Sequence, residues 1–423
     1  MKELKINIPY TLCQFVIILQ LMWMQKKVLF PSISGIGYYF IYYMKYIGAF
    51  LLLMYKLKRK KDKDLKTNKY ICIFIPIFFL YIFIELIAMM QSPIQEQYGR
   101  ELWSRGIMYI LDKICIFIEI VCIFDFTKER AIDCISGALV IDGVILILIT
   151  ILKAGIVQTI QTLLIVFGLA NENKASHLLE VHELTYCLAL CIIYYLYFGN
   201  KNKKHINRLI LMCIIFILGG KRIGFAGIIV SGLFALFVHK KGLSKFNIKV
   251  VGVIGTFLCV AYVFLLYDGT ILTYMNSHGI NVMGRDAIYE YFLRRTGFSF
   301  KNLGWGLGSV SKLLENMSKS EVGNMASARG LHNDVLKMYI ECGFIGSLIW
   351  LTYNWLYVPI NIFKKVGKKQ ATLYIALTIF AFITYLTDNT ENYFAFQVIL
   401  LLLPLAAYEN KLKDSGENKW RKF

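Results

Sequence analysis

KLKRKKDKDLKTNK (56–69) runs straight into YICIFIPIFFLYIFIELIAMM (70–90), and the reading of that junction decides the fold. A lysine-dense segment abuts an apolar block of the size that covers a bilayer's hydrocarbon core, which takes roughly 20 residues of helix. The same alternation repeats along the chain, with apolar blocks of about 15 to 22 residues divided by short polar stretches. Across 423 residues the apolar share is 57% and the charged share 17%, against roughly a quarter charged in a soluble protein. These values exclude an ordinary soluble domain. The expected fold is all-α, a polytopic membrane protein of about twelve transmembrane helices. Its spans fall at about 9–25, 34–55, 70–90, 106–126, 134–152, 184–199, 206–219, 223–238, 249–267, 335–358, 371–387 and 393–408.

Lysine and arginine set the orientation. The segment 56–69, the loops NKNKKHINR (200–208), HKKGLSKFNIK (239–249) and NIFKKVGKKQ (361–370), and the tail from 409 all fall on one side of the membrane when the spans are counted. An excess of Lys and Arg marks the cytoplasmic side, so both termini are expected there. Spans one to nine then occupy 1–267, a large outer loop 268–334, spans ten to twelve 335–408, and a cytoplasmic tail 409–423. A second outer loop, 153–183, holds an apolar stretch from Ile156 to Leu169 that is too short to span and is expected to be interfacial or re-entrant. The first apolar block lacks a small-residue cleavage site and reads as a retained span. The net charge of +20 follows from this asymmetry and from attraction to anionic lipid; no basic face interleaved with aromatics suggests nucleic acid. Nearly all ten cysteines lie inside apolar blocks without a CxxC pair, and they read as small buried hydrophobes rather than a zinc or redox site.

The outer face carries the residues with chemistry. The apolar runs flanking Gly219-Gly220-Lys221-Arg222 hold 13 and 16 residues, a rise of about 20 and 24 Å against a core of about 30 Å. That turn is therefore expected below the outer surface, where charge persists only against protein or a water-filled cavity. Lys221 and Arg222 form a candidate anion site, or else hold lipid phosphate. The large loop adds Arg285, Arg294, Arg295 and Arg329, with Arg294 and Arg295 read as solvated. Its LGWGLGSV (303–310) has no strand–turn–helix setting, so it marks a mobile turn or a close backbone approach, not a dinucleotide site.

The loop ends in LHNDVLKMYIECGFIGSLIWL (331–351). Asn333 or Asp334 can cap the tenth span, whose N-terminus adds positive potential to any anion site nearby. The same field disfavours a second positive charge on His332, which reads as a proton acceptor. His177 and His182 are five residues apart and miss the i, i+4 spacing of a helical metal pair. Lys45, Glu85, Glu119 and Asp142, inside spans, are expected to pair between helices.

His332, Asn333, Asp334, Leu336, Glu341, Gly343 and Gly346 resemble the segment closing the large outer loop in the O-antigen ligase and polymerase family. Arg285, preceded by glycine and followed by Tyr289, and then Gly304-Trp305-Gly306-Leu307-Gly308, is similar to the first half of that loop. The turn at 219–222 resembles the family's arginine-bearing turn, with Lys221 standing where a small hydroxyl residue is frequent. The resemblance implies a membrane-embedded glycosyltransferase fold and action on glycans carried by a polyprenyl diphosphate at the outer leaflet.

The implied reaction joins lipid-linked oligosaccharide repeat units for capsule, exopolysaccharide or O-antigen. Arg222 and Arg285 would clamp the leaving diphosphate, Lys221 and Arg329 would add contacts, and His332 would be the general base. No acidic DxD-like cluster lies on the outer face, so metal independence and no cofactor are expected. Expected partners are the lipid-linked donor and acceptor, membrane lipids and other polysaccharide-assembly membrane proteins. A ligase acting on a terminal acceptor is the alternative within the class. A flippase or secondary transporter is the alternative outside it; it predicts paired broken helices in two related halves, and the chain has one short hairpin.

Overall fold

In lipid, backbone N–H and C=O groups find no water, so each apolar block must satisfy its own hydrogen bonds as a helix. The computed structural model describes residues 7–25, 36–59, 70–199, 202–279, 285–316 and 330–414, and among them no strand occurs. The lysine-rich segment 60–69, Arg329 and the tail from 415 lie outside the described residues. The chain begins with α1 (Ile8–Met24), α2 (Ile36–Arg59), α3 (Pro76–Gln91), α4 (Gln95–Thr127) and α5 (Ala131–Ala154). Next come α6 (Ile156–Val166), α7 (Lys174–Leu179), α8 (His182–Tyr197), α9 (Lys203–Leu218), α10 (Arg222–Val238) and α11 (Lys245–Tyr267). The large loop contributes α12 (Thr270–Ser277), α13 (Arg285–Thr296) and α14 (Ser309–Asn316). The chain then runs through α15 (Asp334–Lys365), α16 (Lys368–Tyr385) and α17 (Phe394–Asp414).

Each apolar block has become a helix. By length and composition, α5, α11 and α15 are long and apolar enough to cross a membrane; α3, α10 and parts of α1 and α17 are apolar but shorter. The loops at 153–183 and 268–334 are not unstructured connections. The apolar stretch from Ile156 becomes α6, whose Ile156, Val157, Ile160 and Leu164 face outward. Among its described residues the larger loop holds the three helices α12, α13 and α14.

α8 and α16 are buried on nearly every side and form the centre, as a helix apolar all round requires. α10 lies along α16, with Gly227 so close to Phe380 that a Cβ there would come within 2.7 Å of the ring. Small residues at such contacts let two helices approach in lipid, where burial of apolar surface gives no drive. α17 closes the centre against α4, α8 and α16. The polar groups inside spans are paired, although Glu85 finds its partner in the glycine-rich loop and not on another helix. Lys45 meets Asp112 at 2.7 Å, Asp142 accepts from Gln25 at 2.5 Å, Glu119 accepts from Gln20, and Glu85 accepts from the Leu307 N–H at 2.5 Å.

Candidate functional site

The turn joining α16 to α17, LTDNTENY (386–393), organises the site. It is too short to fold on itself beyond the 3₁₀ turn Thr390–Asn392, so its polar groups bond to segments arriving from elsewhere. The Asp388 side chain is 6% exposed. Its Oδ2 accepts from the Tyr186 hydroxyl at 2.8 Å and lies 2.9 Å from His182 Nδ1. Its Oδ1 accepts from Tyr393 at 3.3 Å and lies 3.4 Å from His332 Nδ1. Burial alone raises the Asp388 carboxyl, but the bonds from His182, His332 and the Asn389 N–H outweigh it and hold the acid well below the usual carboxylate range. Two imidazoles thus share one buried carboxylate. Their own side chains are 31% (His182) and 28% (His332) exposed, so the rings reach the surface that the carboxylate cannot.

His332 is held in the left-handed region at φ 52°, a conformation that costs a non-glycine residue on the order of 1–3 kcal/mol. Asn389 Oδ1, on the side chain, compensates by accepting the His332 N–H at 2.9 Å. The sequence leaves the cap open between two residues, and the structure divides the work. Asn333 caps α15 by accepting the Leu336 N–H at 3.0 Å, while Asp334 Oδ2 accepts the Glu391 N–H at 2.7 Å. The cap and the turn are in this way locked to each other.

Of the expected cations, two enter the cluster. Lys221 Nζ lies 2.5 Å from both His182 Nε2 and Glu180 Oε1. An ammonium can only donate, so His182 Nε2 accepts and its Nδ1 carries the proton given to Asp388. The Arg285 guanidinium donates to the Thr387 carbonyl at 2.9 Å, which ties the start of α13 to the turn. Arg222 is exposed at the first position of α10, beside Lys221. Arg329 lies outside the described residues. Arg294 is solvated, with its i, i+4 partner Glu290 at 2.8 Å. The turn at 219–222 packs on α8, where Gly219 faces the Thr185 hydroxyl and Gly220 takes φ 65°.

Beneath the turn lies a second charged group. Glu391 accepts from Tyr109 and Lys113, each at 2.5 Å, and faces Lys337 at 3.6 Å. Burial raises its carboxyl, but the two ammonium groups outweigh that and hold it below its usual range. Lys337 also donates to Asn392 Oδ1 at 2.7 Å.

The glycine-rich stretch 303–308 proves to be a close backbone approach. α15 is broken at Gly343 (φ 70°, ψ −177°). The carbonyls of Ile340 and Glu341 accept the N–H groups of Trp305 and Gly306, both at 3.0 Å, and Asn302 O accepts the Phe344 N–H at 2.9 Å. A Cβ on Gly304 would meet Glu341 O at 2.5 Å. The loop therefore replaces the missing turn of the helix and anchors 331–341 at the level of the site.

His182 and Asp388 are the residues that sequence spacing leaves out. His182 fails the helical-pair test because its partners are Lys221 and Asp388, not another histidine on its own helix. Asp388 was legible in one respect: 388–392 places two carboxylates, Asp388 and Glu391, on a face otherwise described by its cations. Among the described residues no group of His, Cys, Asp and Glu is arranged to hold a metal ion. The arrangement offers a buried acid that orients two imidazoles, with guanidinium and ammonium groups at the rim. A family model described as O-antigen ligase matches residues 208–351. No curated protein matches the chain.

Proposed function

From the premise that residues 208–351 belong to the O-antigen ligase family, we propose that this membrane protein is a polymerase of polyprenyl-diphosphate-linked oligosaccharide repeat units. The observation that carries the reading is the convergence of Arg285, Lys221, His182 and His332 on the turn around Asp388. The family's members are glycosyltransferase-like enzymes acting on lipid-linked oligosaccharides. Loss of the sugar from the donor leaves a diphosphate whose growing charge must be met. Arg285 and Arg222 are the guanidinium groups for it, suited to two-point contact with phosphate oxygens. Lys221 supports the same anion: Glu180, its present partner, is exposed, and a phosphate oxygen would replace that carboxylate.

His332 is the base. With the Nδ1 proton directed at Asp388, its Nε2 accepts the proton of the acceptor hydroxyl as the new C–O bond forms and the bond to the diphosphate breaks. The 3.4 Å contact to Asp388 is long, as catalytic contacts commonly are before substrate closes them. Asp388 acts through His332 and is a positioning residue. The loop 268–334 and the turn 386–393 lie on the outer face in this reading.

The test is glycan length. Arg285→Ala and His332→Ala each leave folded, membrane-inserted protein that yields only single-repeat glycans. Long polymer from either variant removes that residue from the mechanism. Lipid-linked polymer as product supports the polymerase; glycan on a terminal acceptor assigns the protein to the ligase branch instead.

A further inference from the structure

A cavity of about 760 Å³ opens among α2, α4, α14 and α15 and reaches Asn392 of the 386–393 turn. Its wall includes Glu101, Arg105, Asp112, Ser311, Lys337 and Asn392. The volume is that of a small-molecule site, roughly 300–1,000 Å³. Each of these charges has an ion-pair partner, in the wall for Arg105 and outside the lining for the others. Arg105 pairs with Glu315 at 2.5 Å, Asp112 with Lys45 at 2.7 Å, Lys337 with Glu391 at 3.6 Å, and Glu101 with Lys312. Such paired charges present donors and acceptors side by side. A hydroxyl both donates and accepts, so a neutral polyol fits here and a diphosphate does not.

Two short stretches join this cavity to the histidine cluster. Residues 332–337 carry His332 in the cluster and Lys337 in the cavity wall; residues 388–392 carry Asp388 in the cluster and Asn392 in the wall, with Lys337 bonded to Asn392 at 2.7 Å. The level is also right. α4 has 33 residues, about 50 Å of helix against a hydrocarbon core of about 30 Å. Its first turns, with Glu101 and Arg105, therefore extend past the lipid, and Arg105 pairs there with Glu315 of the large loop.

In a displacement at a sugar carbon, the entering hydroxyl and the departing phosphate oxygen stand on opposite sides. The cations at the rim come from α10, α13 and the turn before α10, whereas the cavity is lined by α2, α4, α14 and Lys337 of α15. We infer that this cavity holds the acceptor oligosaccharide, a run of neutral sugars, and presents one hydroxyl toward His332. The inference rests on the transferase reading above.

The experiment uses the purified full-length protein in detergent, lipid-linked repeat unit as donor, and the delipidated repeat-unit oligosaccharide, blocked at its reducing end, as soluble acceptor. Ser311→Trp, which fills the cavity, and Arg105→Ala, which opens its wall, raise KM for the soluble acceptor about tenfold or more and leave KM for the donor within about twofold. Ser311→Thr restores the acceptor KM. Saturation-transfer NMR detects the blocked oligosaccharide on the wild type and loses it with Ser311→Trp. If Ser311→Trp melts early, Arg105→Ala carries both readouts. Active wild type with unchanged acceptor KM and binding in these variants overturns the cavity assignment and leaves the transferase. Wild type that neither transfers nor binds lipid-linked donor, yet binds the free oligosaccharide in a Ser311-dependent way, overturns the transferase and keeps the saccharide site.

Discussion

At the residue scale, the site depends on an acid that never meets the substrate. Asp388 is buried, yet its bonds to His182, His332 and Asn389 keep it ionised. Because its folded-state acidity lies below the unfolded value of about 3.9, its contribution to stability is fully present above that pH. It is lost only as the pH falls through the lower folded value. Titration of Asp388 therefore contributes nothing to activity near neutrality. Asp388→Asn is expected to lower kcat by about 100-fold or more while donor binding persists. Steady-state kinetics with donor binding measured in parallel checks this; a change in melting temperature alone, with kcat unmoved, makes Asp388 structural. His332 was legible from its place before a helix, but its φ of 52° was not, because the Asn389 bond that sustains it comes from a distant turn.

At the element scale, the broken helix α15 and the segment 302–306 behave as one unit. Glycine at 343 supplies a φ/ψ pair that residues with a side chain do not adopt, and the exposed carbonyls of the break are bonded by Trp305 and Gly306. Gly343→Ala places a methyl group against the backbone of residues 302–304 and is expected to cost about 3 kcal/mol or more. A lowered melting temperature in detergent, with polymer synthesis falling alongside, is the readout; a variant as stable as wild type would show that the loop does not anchor the helix. The sequence displayed both glycine clusters. That they meet was not visible, because nothing in either stretch encodes which partner fills the gap. The long loops were likewise readable as loops by composition, whereas α14 is held against α4 and α15, and Arg285 of α13 bonds to the turn after α16.

At the scale of the whole molecule, one arrangement joins the proposed parts: a buried centre of α8, α16 and α17 carrying the turn, with the 219–222 turn, the large loop and the cavity around it. The orientation can be read directly. In a background with Cys72→Ser, Glu290→Cys is expected to react with a membrane-impermeant maleimide on intact cells. Lys241→Cys is expected to react only after lysis. The reverse pattern would put residues 268–334 in the cytoplasm and remove the access of an outer-leaflet substrate to His332.

The sequence by itself determined the membrane class and the helices, because hydrophobic length and charge asymmetry are properties of consecutive residues, and it offered Lys221, Arg285 and His332 as candidates. Only the tertiary structure brought in Asp388, His182 and the cavity wall. Asp388 meets His332 across 56 residues and His182 across 206, and contacts at that separation follow from how helices pack, which no local spacing records. The physical reason is the low dielectric of the interior: a carboxylate buried there must be met by donors, and the fold selects which donors those are.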